Sequence, residues 1–291
     1  MNKSDLFDTC LLCNRNEFRP ILGYEKNYLV KCRSCGFVFC ERKPSLNELK
    51  KHYSLYQRAT SISEITLKRY NQLLDSFEPY RKTNNIIDVG CGDGHFLVVA
   101  KKRKWNVYGT EFTREAIGIC NQKGIQMNEG PLDAEQYSPG FFDVITSFEV
   151  LEHINTPCSE IMTFHKILRL GGAVYITTPN FNSISRNILG PEWNIIEFPE
   201  HLSYYTKQTL TFLFKQNNFK PIRLSTTGIS VNRLRASKGI KTKTFAVNTD
   251  EELRQKAEQR FLFKWIKNLA NSVLNFSNKG DSMKALFQKV G

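Results

Sequence analysis

The feature that most constrains this chain is the run Ile86-Ile87-Asp88-Val89-Gly90-Cys91-Gly92-Asp93-Gly94-His95-Phe96. A short apolar strand signal enters three glycines at alternate positions and leaves as a helical pattern. Glycine lets the backbone take positive φ and lets a ligand approach the main chain. The helix that follows offers free N–H groups and a partial positive charge. Such a turn at the carboxyl end of a parallel strand is where doubly wound sheets bind nucleotide-like ligands. Gly-x-Gly-x-Gly stands here in place of the Gly-x-Gly-x-x-Gly of dinucleotide sites, which argues against a nicotinamide dehydrogenase. Asp88 lies two residues before the first glycine. Glu111 ends the next strand signal, where a ribose-binding acid would fall.

The pattern around this turn alternates. Strand signals cover 85–90, 107–111, 125–127, 141–148, 173–178, 220–226 and 281–289, and helical spacing covers 61–81, 95–104, 113–123, 159–170, 207–216 and 251–276. Gly171-Gly172 reads as the stop of the helix over 159–170. Short links between strands and helices predict right-handed βαβ units and a parallel sheet covered on both faces. Residues 180–206 break the rhythm and read as a cap, and 236–250 as a polar, mobile stretch. With 41% hydrophobic and 24% charged residues the chain reads as a soluble globular protein. The first residues carry acids and no apolar h-region, so a signal peptide is not expected and a cytoplasmic location is.

Asp88-x-Gly90-x-Gly92-x-Gly94 with Glu111 resembles the class I S-adenosylmethionine-dependent methyltransferases. Phe142-Asp143-Val144-Ile145 resembles their fourth strand, Glu149-Val150-Leu151-Glu152-His153 their post-strand motif, and Leu168-Arg169-Leu170-Gly171-Gly172 the turn before strand five, with Leu170 in place of the usual Pro. The resemblance implies an α/β, Rossmann-like fold with a seven-stranded, mostly parallel sheet and an antiparallel last strand. It also implies S-adenosylmethionine as cofactor and S-adenosylhomocysteine as product. The cofactor residues implied are Asp88, Gly90, Cys91, Gly92, Gly94, Glu111, Phe112, Asp133, Phe148 and Glu149. Glu111 would take both ribose hydroxyls, because a carboxylate is acceptor-only with two oxygens. Asp133 would contact the adenine amino group, and Phe148 and Glu149 would line the pocket behind the sulfonium. Cys91 reads as a small buried spacer.

Eight cysteines without a secretory signal argue against a disulfide scaffold. Cys10-x2-Cys13 and Cys32-x2-Cys35 carry a zinc signature, with four thiolates closing a tetrahedron and leaving no open position. A rubredoxin-like iron site is the alternative; Cys40 and His52 are spare. A segment this short needs the folding energy that a metal supplies. The expected division is a zinc knuckle and connector over 1–60 and a catalytic domain over 61–291, with a substrate cap at 180–206, a basic amphipathic helix at 251–276 and the last strand at 281–289. The front end, with Cys32-x-x-Cys35-Gly36-Phe37-Val38-Phe39 and Lys50-x-x-Tyr53, resembles methyltransferase domain family 23, whose members commonly serve surface-polysaccharide and modified-sugar synthesis.

If the methyl acceptor is a hydroxyl, a base must take its proton, and histidine suits the task. His153 follows the fourth strand, and His201 lies in Phe198-Pro199-Glu200-His201-Leu202, which resembles the subgroup's cap segment. Trp193, Tyr204 and Tyr205 would form an apolar wall for the acceptor, with Glu200 beside it; Glu152 and Glu200 rank behind the histidines as the base. The acceptor expected first is a sugar, nucleotide-linked or in a glycan. A quinone-like or polyketide aromatic is the second reading. The net charge of +13, concentrated toward both ends, raises a third: a zinc-ribbon nucleic-acid binder with a degenerate cofactor fold. The front end shows no run of aromatics tracking a strand, and nucleic acid is not the expected partner. The 251–276 helix would suit the protein's own core, a second copy of the chain or a membrane surface.

Overall fold

A computed structural model describes residues 5–45, 47–48, 62–229 and 261–291, and of 261–268 the backbone alone. Strand β1 (Phe18–Pro20), β2 (Leu29–Cys32) and β3 (Val38–Cys40) precede helix α1 (Glu64–Phe77). The large sheet is then built from β4 (Asn85–Val89), β5 (Asn106–Glu111), β6 (Gln126–Glu129), β7 (Phe142–Phe148) and β8 (Leu168–Pro179). Helices α2 (His95–Lys102), α3 (Arg114–Gln122) and α4 (Pro157–Ile167) connect them. A cap follows with α5 (Ile184–Leu189) and β9 (Ser203–Tyr204), then α6 (Lys207–Lys215), β10 (Phe219–Thr227), α7 (Phe261–Phe276) and β11 (Ser282–Lys289).

All five residues of β4 are buried, as a strand covered on both faces requires. It sits centrally in a seven-stranded sheet of order β10-β11-β8-β7-β4-β5-β6, in which β11 alone is reversed. The expected α/β architecture and antiparallel last strand are therefore what the chain forms. One buried carboxylate secures the amino edge. Asp143 Oδ2 accepts the N–H groups of Lys82, Thr83 and Asn84 at 2.7, 2.7 and 2.8 Å, while Oδ1 accepts Arg169 Nε at 2.5 Å. Arg169 also donates to the carbonyl of Tyr80. A carboxylate this well supplied with donors tolerates its burial; removing a partner from such a pair costs about 3–5 kcal/mol.

The front end has a sheet of its own, of order β1-β2-β3-β9. Its last strand comes from the cap: Val38 pairs with Tyr204 and Phe39 with Ser203. Phe37 and Phe39, both fully buried, share a core with Tyr205, Leu210, Leu213 and Phe214. Each such ring contributes about 1.5–3 kcal/mol by leaving water. Front end and large sheet thus share one hydrophobic core.

Three expectations are corrected. Leu168–Gly172 is not a turn: α4 ends at Ile167 and the chain enters β8 at once. Gly172 is there for close approach, since a Cβ would stand 2.9 Å from the Asp143 carbonyl oxygen. Gly171, at φ +76°, lies in β8 opposite the register shift between Phe142 and Val144 in β7. The third strand runs over Gln126–Glu129 rather than 125–127. The cap is partly ordered into α5 and β9.

The expectations for 46–60, 236–250 and the start of the 251–276 helix fall wholly or largely outside the described residues. The end of α7 is tied to β10: Asn275 Oδ1 accepts the Thr226 N–H at 3.0 Å and Asn271 Oδ1 the Gly228 N–H at 2.9 Å. Leu274 is buried, while Leu269, Val273 and Phe276 face outward. Among the described residues no helix is long and apolar enough to cross a membrane.

Candidate active site

The glycine turn leaves β4 with Gly90, Gly92 and Gly94 at φ +70°, +52° and +70°. Two of them serve different purposes. A Cβ on Gly94 would strike Ile125 Cδ1 at 2.6 Å and Cys120 Sγ at 2.8 Å, so packing excludes a side chain there. A Cβ on Gly92 would meet nothing within 4 Å. Gly92 presents bare, left-handed backbone to open space, which is what a ligand lying against the main chain needs. Gly94 then caps α2, whose first-turn N–H groups carry the helix's positive end.

Glu111 closes the far side. Its Oε2 accepts the Gly92 N–H at 3.1 Å, and its Oε1 accepts the N–H groups of Phe112 and Thr113 at 2.8 and 3.2 Å. The carboxylate is thereby oriented at the carboxyl edge of the sheet. Phe112 beside it is 69% exposed, an aromatic face open to solvent. Asp88 lies beneath the turn at 2% exposure, accepting from Thr146 Oγ1 at 2.7 Å. Burial pushes its pKa up to about 8. It supports the turn from below and offers no surface to a ligand. Cys91 packs its sulfur 3.9 Å from that of Met127, and a hydrogen bond with Cys120 together with burial raises its pKa, as suits a spacer. Asp133 is exposed and caps the 3-10 turn Ala134–Gln136 through the Glu135 N–H at 2.9 Å.

The end of β7 forms the second wall. Phe148 packs its ring among Phe96, Tyr175 and Tyr70. Glu149 follows at φ +53°, a conformation that costs a non-glycine residue and is held by its N–H donating to the Thr177 carbonyl at 2.9 Å.

Next comes a cluster that joins two distant parts of the sequence. His153 and His201 lie 4.8 Å apart between ring centroids. One ligating atom from each of Glu152, His153 and His201 lies within 4.8 Å of the others. His153 Nδ1–H donates to the Glu200 carbonyl at 2.9 Å, and His201 Nδ1–H to the Ile195 carbonyl at 2.7 Å. A carbonyl can only accept, so Nδ1 carries the proton in both rings and Nε2 is the basic nitrogen. Glu152, 2% exposed, accepts from Thr178 Oγ1 at 3.0 Å. The Leu202 N–H donates to the Glu152 carbonyl at 2.8 Å, pinning the cap to this turn.

The expected aromatic wall is not a wall. Trp193, Tyr204 and Tyr205 are 1%, 3% and 0% exposed. Trp193 and Tyr204 pack against Tyr24, Leu29 and Val38 of the front end, and Tyr205 lies against Phe37 at 5.2 Å between centroids. Loop aromatics had a core to fill. Glu200 contributes its carbonyl oxygen, to His153. Thr178 and Thr146 escaped the sequence reading, because nothing local marks a strand threonine that meets a carboxylate from a distant part of the chain.

The four cysteines converge as their spacing implies. Cys10 Sγ is 3.6 Å from Cys35 Sγ and Cys13 Sγ 3.5 Å from Cys32 Sγ, and all four lie within 4.8 Å of one another. Disulfide sulfurs would be about 2 Å apart, whereas the edges of a tetrahedral zinc–thiolate site are about 3.8 Å. The two knuckles repeat one geometry: Asn14 N–H donates to the Cys10 carbonyl and Gly36 N–H to the Cys32 carbonyl, at 3.0 and 3.1 Å, with Asn14 and Gly36 both left-handed. The residues fit a zinc ion.

A parallel sheet with one reversed strand and a glycine turn facing an acid is the architecture of the S-adenosylmethionine-dependent methyltransferases. The chain belongs to the methyltransferase domain family 23, whose model, described as a methyltransferase domain, matches residues 57–224. It is similar to the ubiquinone biosynthesis O-methyltransferase of Pseudomonas aeruginosa (strain UCBPP-PA14), 32% identical over 104 residues, 33% of this chain and 45% of that protein. It is also similar to the enzyme of the same name from Dechloromonas aromatica (strain RCB), 28% identical over 51% of this chain and 69% of that one. The chain spans about half the length of the curated relatives it matches. Among solved structures, a SAM dependent methyltransferase from Archaeoglobus fulgidus superposes with a TM-score of 0.53 at 16% identity, over 84% of this chain and all of that one. A geranyl diphosphate C-methyltransferase from Streptomyces coelicolor A3(2) gives 0.52 at 12% identity, over 77% of each chain. At these identities the likeness is one of fold.

Proposed function

We propose that the protein transfers the methyl group of S-adenosylmethionine to an oxygen of a small acceptor. The observation that carries this reading is the pairing of open backbone at Gly92 with the carboxylate of Glu111. Gly90, Gly92 and Gly94 would hold the methionine part, Glu111 the ribose hydroxyls, and Phe112 and Asp133 the adenine. Bound there, S-adenosylmethionine supplies an activated methyl on a sulfonium and leaves as S-adenosylhomocysteine. Phe148 and Glu149 exclude water behind the sulfonium. His153 Nε2 takes the acceptor's hydroxyl proton, His153 being the less buried of the two residues. Glu152 and His201 lie beside the ring and fix its place. Cys10, Cys13, Cys32 and Cys35 would hold a structural zinc that stiffens the small front-end sheet against the catalytic domain.

The similarity to ubiquinone biosynthesis O-methyltransferases favours a quinone-like aromatic as acceptor. The sequence alone put a sugar first, and the four-cysteine front end still supports that as the second reading. Assaying S-adenosylhomocysteine release with catechol-type phenols beside nucleotide sugars decides between them. Turnover of neither class, with S-adenosylmethionine bound, would remove both acceptors. Failure to bind S-adenosylmethionine at all would remove the reaction.

A further inference from the structure

We propose that the seam between the front end and the cap is a binding site for an organic phosphate or diphosphate. The seam holds a cavity of about 470 Å³ lined by residues of β1 and β2, by Val38 and by Phe181, Asn182 and Arg186 of the cap. That volume suits a small organic ligand. It contains none of the residues assigned above to the cofactor or to proton transfer.

Three observations converge on an oxyanion. Arg19 and Lys31 are direct partners in the β1–β2 register, both exposed on one face and both lining the cavity. Like charges directly opposite destabilise a strand pair, and an anion between them turns that cost into attraction. Arg186 enters from the other side of the seam. Its guanidinium is held 4.1 Å from the Phe181 ring centroid and 5.9 Å from that of Tyr24, so its orientation is fixed beforehand. Its Nη1 donates to Asn187 Oδ1 at 2.9 Å, which fixes the group further. Among the described residues lining the cavity there is no carboxylate. Pro20, Ile21, Val38 and Phe181 supply apolar surface beside the charges, which a bare inorganic ion would leave unused.

The Arg19 fork distinguishes this site from a general basic surface. A guanidinium offers paired donors to phosphate oxygens, and charge-assisted bonds of this kind are the strong ones. A basic surface that follows a nucleic acid would instead bind in proportion to chain length and lose affinity steeply with salt.

The test is titration calorimetry on the full chain with three probes: inorganic pyrophosphate, uridine diphosphate and a single-stranded oligonucleotide. The expected result is saturable one-to-one binding of uridine diphosphate, weaker binding of pyrophosphate and no tighter binding of the oligonucleotide. Lys31→Gln and Arg186→Gln should each weaken uridine diphosphate by about tenfold or more, while exposed Lys102→Gln should not. S-adenosylhomocysteine affinity should be the same in all. In phosphate-free buffer Lys31→Gln should also raise the thermal midpoint, because the facing charge on Arg19 is relieved. No saturable binding at millimolar concentration, an affinity that ignores both substitutions, a preference for the oligonucleotide, or a lowered midpoint in Lys31→Gln would each overturn the proposal.

Discussion

The backbone N–H of Gly92 points at Oε2 of Glu111, 3.1 Å away, so the turn after β4 and the acid at the end of β5 form one polar unit. The acid is held where it stands by four donors, counting Thr113 Oγ1 at 3.3 Å. A ligand that hydrogen-bonds this carboxylate meets a group whose direction is already set. Glu111→Ala should weaken S-adenosylhomocysteine by about 10- to 100-fold, the worth of hydrogen bonds to a charged group. Calorimetry checks it, and an unchanged affinity would take Glu111 out of the site.

Gly92 and Gly94 should respond differently to alanine. Both incur the left-handed cost of about 1–2 kcal/mol. Gly94→Ala adds overpacking against Ile125 and Cys120, about 1–3 kcal/mol more. Gly92→Ala has no such neighbour, so its methyl projects into the ligand's space. Thermal melts should show the larger loss for Gly94→Ala, and cofactor titration the larger loss for Gly92→Ala.

His153→Ala should lower kcat by about 100- to 10,000-fold if the ring accepts the acceptor's proton, with S-adenosylhomocysteine affinity retained. His201→Ala should act through position: His201 Nδ1 is bonded to the Ile195 carbonyl inside the cap. A KM effect larger than the kcat effect is the outcome expected there. Full turnover in both variants would dismiss a histidine base.

Asp88 ties stability to pH. Its folded pKa is raised by burial from 3.8 to about 8. The unfolded chain releases the proton first, so the stability associated with the neutral form is complete below about pH 4 and lost as pH rises toward about 8. Asp88→Asn keeps a neutral group under the turn and should flatten that slope. Denaturant midpoints from pH 4 to 8 measure it; parallel slopes in the two proteins would contradict the burial.

Metal analysis of the purified chain should give about one zinc per molecule. Stripping it with a chelator should lower the thermal midpoint and loosen the front end, because the folding energy of such modules comes from the metal. A metal-free chain melting at the same temperature would refute a structural role for Cys10, Cys13, Cys32 and Cys35.

What the sequence disclosed was local. The strand into Gly90-x-Gly92-x-Gly94, the acid at Glu111 and the paired cysteines are short patterns whose physics is complete within a few residues. The concealed parts are those that need the third dimension. Two residues of β9 have no periodicity of their own, so their pairing with Val38 and Phe39 left no trace. Gly171-Gly172 looked like a stop signal, although the Asp143 carbonyl, from a strand far earlier in the chain, is what demands glycine at 172. The histidines were visible singly, but not that they face each other across the cap. Trp193, Tyr204 and Tyr205 were read as a binding surface because an aromatic in a loop carries no mark of what covers it.

The ladder between β3 and β9 makes the thiolate cluster and His201 parts of one mechanical body. Whatever loosens the knuckles would slacken the strand two residues beyond that imidazole, a link that runs through the backbone alone. Were zinc held there, a shortage of the metal would be felt at that imidazole with no effector binding beside it.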